Sequence, residues 1–71
     1  MNFAMRLNEL LVERNTTMYR LARELGVSDN LVGYWCKAKN TPTLDKLIKI
    51  ADYFDVSIDY LVGRSDNPAR Q

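Results

Sequence analysis

The chain has no histidine and a single cysteine, Cys36, among its 71 residues. Without histidine it lacks the side chain that most often serves as a general base near neutral pH, and a two-cysteine, two-histidine zinc site has nothing to draw on. One cysteine closes no internal disulfide. A glycine-rich phosphate loop is also missing, and the acidic residues are scattered at positions typical of solvated helix faces. Cys36 has only Lys37 beside it, with no base to activate it, and reads as an incidental thiol. No stretch approaches the roughly 20 apolar residues of a membrane span, and the start MNFAMRLNEL has neither the basic head nor the continuous apolar run of a secretion signal. The expectation is a cytosolic protein that is not an enzyme, needs no cofactor or metal and has no membrane partner.

What is present is 46% hydrophobic residues, 27% charged residues and a net charge of +1. A domain of this length hides only about 60% of its unfolded surface, so a single economical core of short helices suits it. Phe3, Leu7, Leu10, Leu11 and Arg14 repeat at three and four residues, which predicts a first helix from Asn2 to Arg14 with the four apolar residues inward. Thr17 is an N-cap for a second helix, Met18 to Leu25. Gly26 suits the left-handed end of that helix, and Ser28 caps a third, Asp29 to Lys37, bearing Leu31, Val32 and Trp35. Pro42 drives Thr41 out of the helical region. Thr43 then caps a fourth helix with an apolar stripe of Leu44, Leu47, Ile48, Ala51 and Phe54, and with Asp45 and Lys49 paired on its wet side. Ser57 caps a fifth, Ile58 to Val62, closed by Gly63. Residues 64–71 carry one apolar side chain and read as a flexible C-terminal tail behind a domain of residues 1–63.

The break between the second and third helices is about three residues long, so they must cross steeply, as in a helix-turn-helix. At this point the segments LARELGVS, the Trp35 position, the loop Thr41-Pro42-Thr43 and LIKIADYFDVSIDYLVG resemble the Cro/cI-type, lambda-repressor-like helix-turn-helix family. The resemblance runs from about residue 3 to residue 63. It implies an all-α, five-helix DNA-binding domain with the helix-turn-helix at helices 2 and 3, and a sequence-specific transcription regulator of phage or prophage type. It also implies that Asp29, Asn30, Gly33 and Tyr34 face double-stranded DNA. Ser28, Thr17, Met18 and Tyr19 lie at the two helix starts, and Lys37, Lys39 and Asn40 lie where the family's loop grips the backbone. An asparagine at 30 has both the donor and the acceptor that an adenine edge requires.

The sequence also departs from that family. Met18 stands where many members carry glutamine, and Asp29 where many carry Arg, Lys, Ser or Gln; an acid there favours the helix dipole but repels phosphate. Residues 16–43 sum to +2 and residues 44–71 to −1, a thin electrostatic footprint for DNA. A second function class therefore stands beside the first: an antirepressor, or modulator of repression, that binds a partner repressor protein through its helix-turn-helix surface. Met18, Tyr19 and Tyr34 would form its patch, joined by Leu31, Val32 and Trp35 if those point outward rather than into the core. Gly33 costs about 1 kcal/mol against alanine in a helix interior, so it marks either a close approach or an unconstrained surface position. A homodimer is expected on the last two helices, through Tyr53, Tyr60 and Leu61, because dyad-related operators need two reading heads.

Overall fold

Five residues with short oxygen-bearing side chains are spaced so that each can take an amide left over at a helix start, and all five do so. The computed structural model describes residues 1–70, within which the chain forms α1 (Phe3–Glu13), α2 (Met18–Leu25), α3 (Asp29–Cys36), α4 (Leu44–Phe54) and α5 (Ile58–Leu61) and no strand. Gln71, the last residue of the expected tail, lies outside the described residues. The side chains of Asn2, Thr17, Ser28, Thr43 and Ser57 each accept from the amide three residues on, which satisfies one of the four orphan donors at every helix start.

The helix ends are equally uniform. Asn15, Gly26, Ala38, Asp55 and Gly63 all have φ between 52° and 86°. After each of them the next amide reaches back to a carbonyl five residues earlier, at 2.8–3.0 Å, the closure that left-handed helix ends favour. Gly26 and Gly63 meet this requirement without strain. Gly63 is constrained further, because a Cβ there would lie 2.5 Å from the Met1 carbonyl oxygen.

The core joins Leu7, Leu10 and Leu11 of α1 to Leu21 and Leu25 of α2, Val32 and Trp35 of α3, Ile50, Ala51 and Phe54 of α4, and Val56, Tyr60 and Leu61 around α5. Val32 and Trp35 are thus core residues, Leu31 is partly buried against the core, and none of the three adds to an outward patch. Phe3 packs at the edge. On α4 the inward face is Leu47, Ile50, Ala51 and Phe54, whereas Leu44 is 67% and Ile48 44% exposed. The expected stripe is therefore rotated by part of a turn, because Ile50 rather than Ile48 packs into the core.

A buried arginine and one further correction concern the packing around α5. Arg6 is buried. Its Nε donates to the Tyr60 carbonyl (2.9 Å), Nη1 to Glu9 (3.0 Å) and Nη2 to Ser65 O and Asp66 (3.3 and 3.4 Å), while its guanidinium carbon sits 3.7 Å from the centre of the Tyr60 ring. Burial of the guanidinium is thereby offset by two carbonyls, two carboxylates and a ring face. Tyr60 and Leu61, expected at a dimer surface, are instead core residues of one monomer, Leu61 with no exposure at all. Short as it is, α5 must turn both inward to close the bundle. The segment after Gly63 runs back over the α4–α5 corner, where Pro68 O accepts from the Ser57 amide (3.0 Å) and Arg70 donates to Ala51 O (2.9 Å) and pairs with Asp52 (2.6 Å).

Candidate nucleic-acid interface

Between α2 and α3 only Gly26, Val27 and Ser28 intervene. Gly26 at φ 71° and the Val27 amide bonded back to Ala22 O (3.0 Å) turn the chain within those three residues. Leu21, Ala22 and Leu25 then meet Val32 and Trp35 in the core. This pins the inward faces of both helices and leaves their other faces in solvent.

The start of α2 offers open donors. Thr17 Oγ1 takes the Arg20 amide and Thr17 O the Leu21 amide, so the Met18 and Tyr19 amides have no protein acceptor among the described residues. Amides of this kind at a helix start attract an anion such as phosphate. Met18 and Tyr19 are 44% and 57% exposed, and the Arg23 guanidinium lies 5.7 Å over the Tyr19 ring, a fixed positive charge one turn along.

The start of α3 repeats the pattern. Ser28 Oγ takes the Leu31 amide and Ser28 O the Val32 amide, leaving those of Asp29 and Asn30 open. The side chains of Asp29, Asn30 and Tyr34 are exposed, Tyr34 by 47%. None of the three makes a hydrogen bond or ion pair among the described residues. Gly33 has open space where its Cβ would be, so nothing within the chain itself demands glycine there. Lys37 caps α3, Ala38 follows at φ 60°, and Lys39 and Asn40 are exposed in the loop that leads to the buried Pro42. The structure thus brings Thr17, Met18, Tyr19, Ser28, Asp29, Asn30, Gly33, Tyr34, Lys37, Lys39 and Asn40 onto the two helix starts, the outer face of α3 and the loop behind it. Tyr53 is set apart on α4, where its hydroxyl meets Thr16 Oγ1 at 3.2 Å. Cys36 is half-buried and burial pushes its thiol pKa up, away from the reactive thiolate.

One polar contact at this site has no counterpart in the sequence reading. Asn8 of α1 donates from Nδ2 to Ala4 O and to Cys36 O, each at 2.9 Å. An asparagine in the middle of a helix carries no sign of which distant carbonyl it will meet.

Helices crossing at a three-residue corner, the second with its outer face free, define a helix-turn-helix module. Residues 7–61 match the family model for "Helix-turn-helix" (HTH_3), and the chain belongs to that family. Relatives include an uncharacterised HTH-type transcriptional regulator, YobD, of Bacillus subtilis, 35% identical over 93% of this chain and 59% of its own length. The cryptic phage CTXphi transcriptional repressor RstR of Vibrio cholerae is 38% identical over 70% of this chain and 45% of its own length. The HTH-type transcriptional activator BcrR of Enterococcus faecalis is 34% identical over 89% of this chain and 31% of its own. A crystal structure of a transcriptional regulator from Listeria innocua superposes with a TM-score of 0.83 at 38% identity, covering 86% of this chain and 57% of that one. The chain therefore spans between about a third and three-fifths of the length of the curated relatives it matches.

Proposed function

We propose that the chain acts as the DNA-reading unit of a Cro/cI-type transcription regulator, of the phage or prophage kind that the RstR likeness suggests, working in the cytosol where that DNA lies. The observation that carries this reading is the outer face of α3. Asp29, Asn30 and Tyr34 stand there unengaged beside two open amides, while Val32 and Trp35 of the same helix are turned inward. In such a pose the start of α3 enters the major groove, Asn30 pairs with an adenine edge, and the open amides at the start of α2 together with Lys37 and Lys39 hold phosphates. Asp29 accepts only, so of the major-groove donors it suits the cytosine amino group. Two such heads about one helical turn apart would read a dyad-symmetric site. Since Tyr60 and Leu61 are committed to the core, the homodimer proposed here forms through Tyr53 and neighbouring surface when two copies sit on DNA.

A second reading, binding to a partner repressor protein, draws on Met18, Tyr19 and Tyr34, all at least 44% exposed. With Val32 and Trp35 inside, three side chains make a small patch, and scattered exposed apolar groups are ordinary. Selection from a random duplex library followed by mobility shift at about 0.15 M salt separates the two readings. The DNA reading predicts an enriched motif and a preference of at least about a thousandfold over random duplex. Recovery of no motif, together with a shift only when a repressor protein that binds the chain is added, would transfer the function to the protein partner.

A further inference from the structure

The last carbonyls of a helix have no partner within it, and at the end of α3 each has found one. Gly33 O accepts from the Lys37 amide (3.1 Å), Tyr34 O from Lys39 (2.9 Å) and Trp35 O from Ala38 (3.2 Å), all closures of the local chain. Cys36 O is different, because its donor is Asn8 Nδ2, 28 residues away on α1. The same amide group also donates to Ala4 O. Both partners are acceptors only, so the nitrogen must point toward them whichever way the amide is drawn.

From this geometry we infer that Asn8 is a positioning residue for the reading helix: it fixes the axial setting and rotation of α3 against α1 and so the aim of Asp29, Asn30 and Tyr34. The inference rests on the DNA reading given above. Apolar packing holds the two helices together through Leu7, Leu10, Val32 and Trp35, but such contact is non-directional and tolerates small slides and rolls. A hydrogen bond weakens steeply off its line. Asn8 is exposed, but its amide is also held one turn back on α1 by Ala4 O, which directs the bond to Cys36 O. Asn8 meets α3 at its last residue, at the far end of the helix from Asp29 and Asn30.

The test uses the full chain carrying Asn8→Leu, which keeps the shape and loses the donor, and Asn8→Gln, which keeps the donor on a longer arm. The probes are the duplex recovered by selection and a random duplex, with the labelling rate of the Cys36 thiol and amide exchange across α3 as DNA-independent readouts, all well below the melting temperature. Asn8→Leu should lower affinity for the selected duplex about three- to tenfold and leave random-duplex affinity within about twofold. It should also speed Cys36 labelling and α3 exchange several-fold, with Asn8→Gln recovering part of each effect. Faster labelling with unchanged preference for the selected duplex would show that Asn8 only braces the fold. Labelling and exchange equal to the parent would show that the bond to Cys36 O does not hold α3. If the parent chain ignores every duplex, the DNA reading fails on that result alone, and labelling and exchange still decide whether Asn8 sets α3.

Discussion

Among the described residues, Ala38 is the one left-handed helix end occupied by a residue with no means of easing it. Asn15 and Asp55 are short polar residues that tolerate positive φ, and Gly26 and Gly63 have no Cβ, whereas alanine at φ 60° bears a steric cost of roughly 1 kcal/mol. Ala38→Gly should therefore raise the unfolding free energy by about 0.5 to 1 kcal/mol in urea denaturation; no gain would mean that the loop relaxes elsewhere. Gly33 presents the opposite case. It sits inside α3 with open space where its Cβ would be, so Gly33→Ala should stabilise the chain by about 0.5 to 1 kcal/mol. If the glycine serves the approach of DNA, the same variant weakens binding to the selected duplex, and a stabilised variant that binds as well as the parent would return Gly33 to an unconstrained surface position.

Among the elements, α1 ties the others together. It sends Asn8 to the final carbonyl of α3 and Arg6 to Tyr60 O in the last turn of α5, and its C-cap Arg14 reaches the final carbonyl of α4 at Phe54 (2.7 Å). Among the described residues Cys36 O and Phe54 O have no other donor, whereas Tyr60 O also accepts from the Gly63 amide (3.2 Å). Arg6→Ala should cost about 1 to 3 kcal/mol, the scale of hydrogen bonds to a charged group: Tyr60 O and Ser65 O lose the guanidinium, although Tyr60 O keeps the Gly63 amide. Glu9 and the almost fully exposed Asp66 are rehydrated at little cost. A change within about 0.5 kcal/mol by thermal unfolding would contradict the assignment. The caps, turns and apolar seams were legible because Thr17, Ser28, Thr43, Ser57, Gly26 and Gly63 act on residues one to five positions away. The tertiary polar ties were not. Nothing local marks Arg6 as buried or Arg70 as reaching Ala51 O, since each depends on a partner dozens of residues distant or at the far side of a turn. The α4 stripe failed for a related reason: Leu44 and Ile48 fit helical spacing, but only the packing of Ile50 against the rest of the core decides which face turns in.

For the molecule as a whole, the surface is the unusual feature. With a net charge of +1 and an acid at the first position of α3, attraction to phosphate is weak, so the proposed DNA reading requires contacts to base edges to contribute more than in a strongly basic domain. The exposed positions on the outer face of α3 were foreseeable, because that side follows from where Val32 and Trp35 point; that they meet bases is the proposal. The central claim is that this face reads sequence. The most direct measurement is the affinity of Asn30→Ala and of the parent chain for the selected duplex and for a random one, at a single stated salt concentration. The account predicts that Asn30→Ala loses about 1 to 3 kcal/mol on the selected duplex and almost nothing on the random one. Equal losses on both, or none on either, would contradict it.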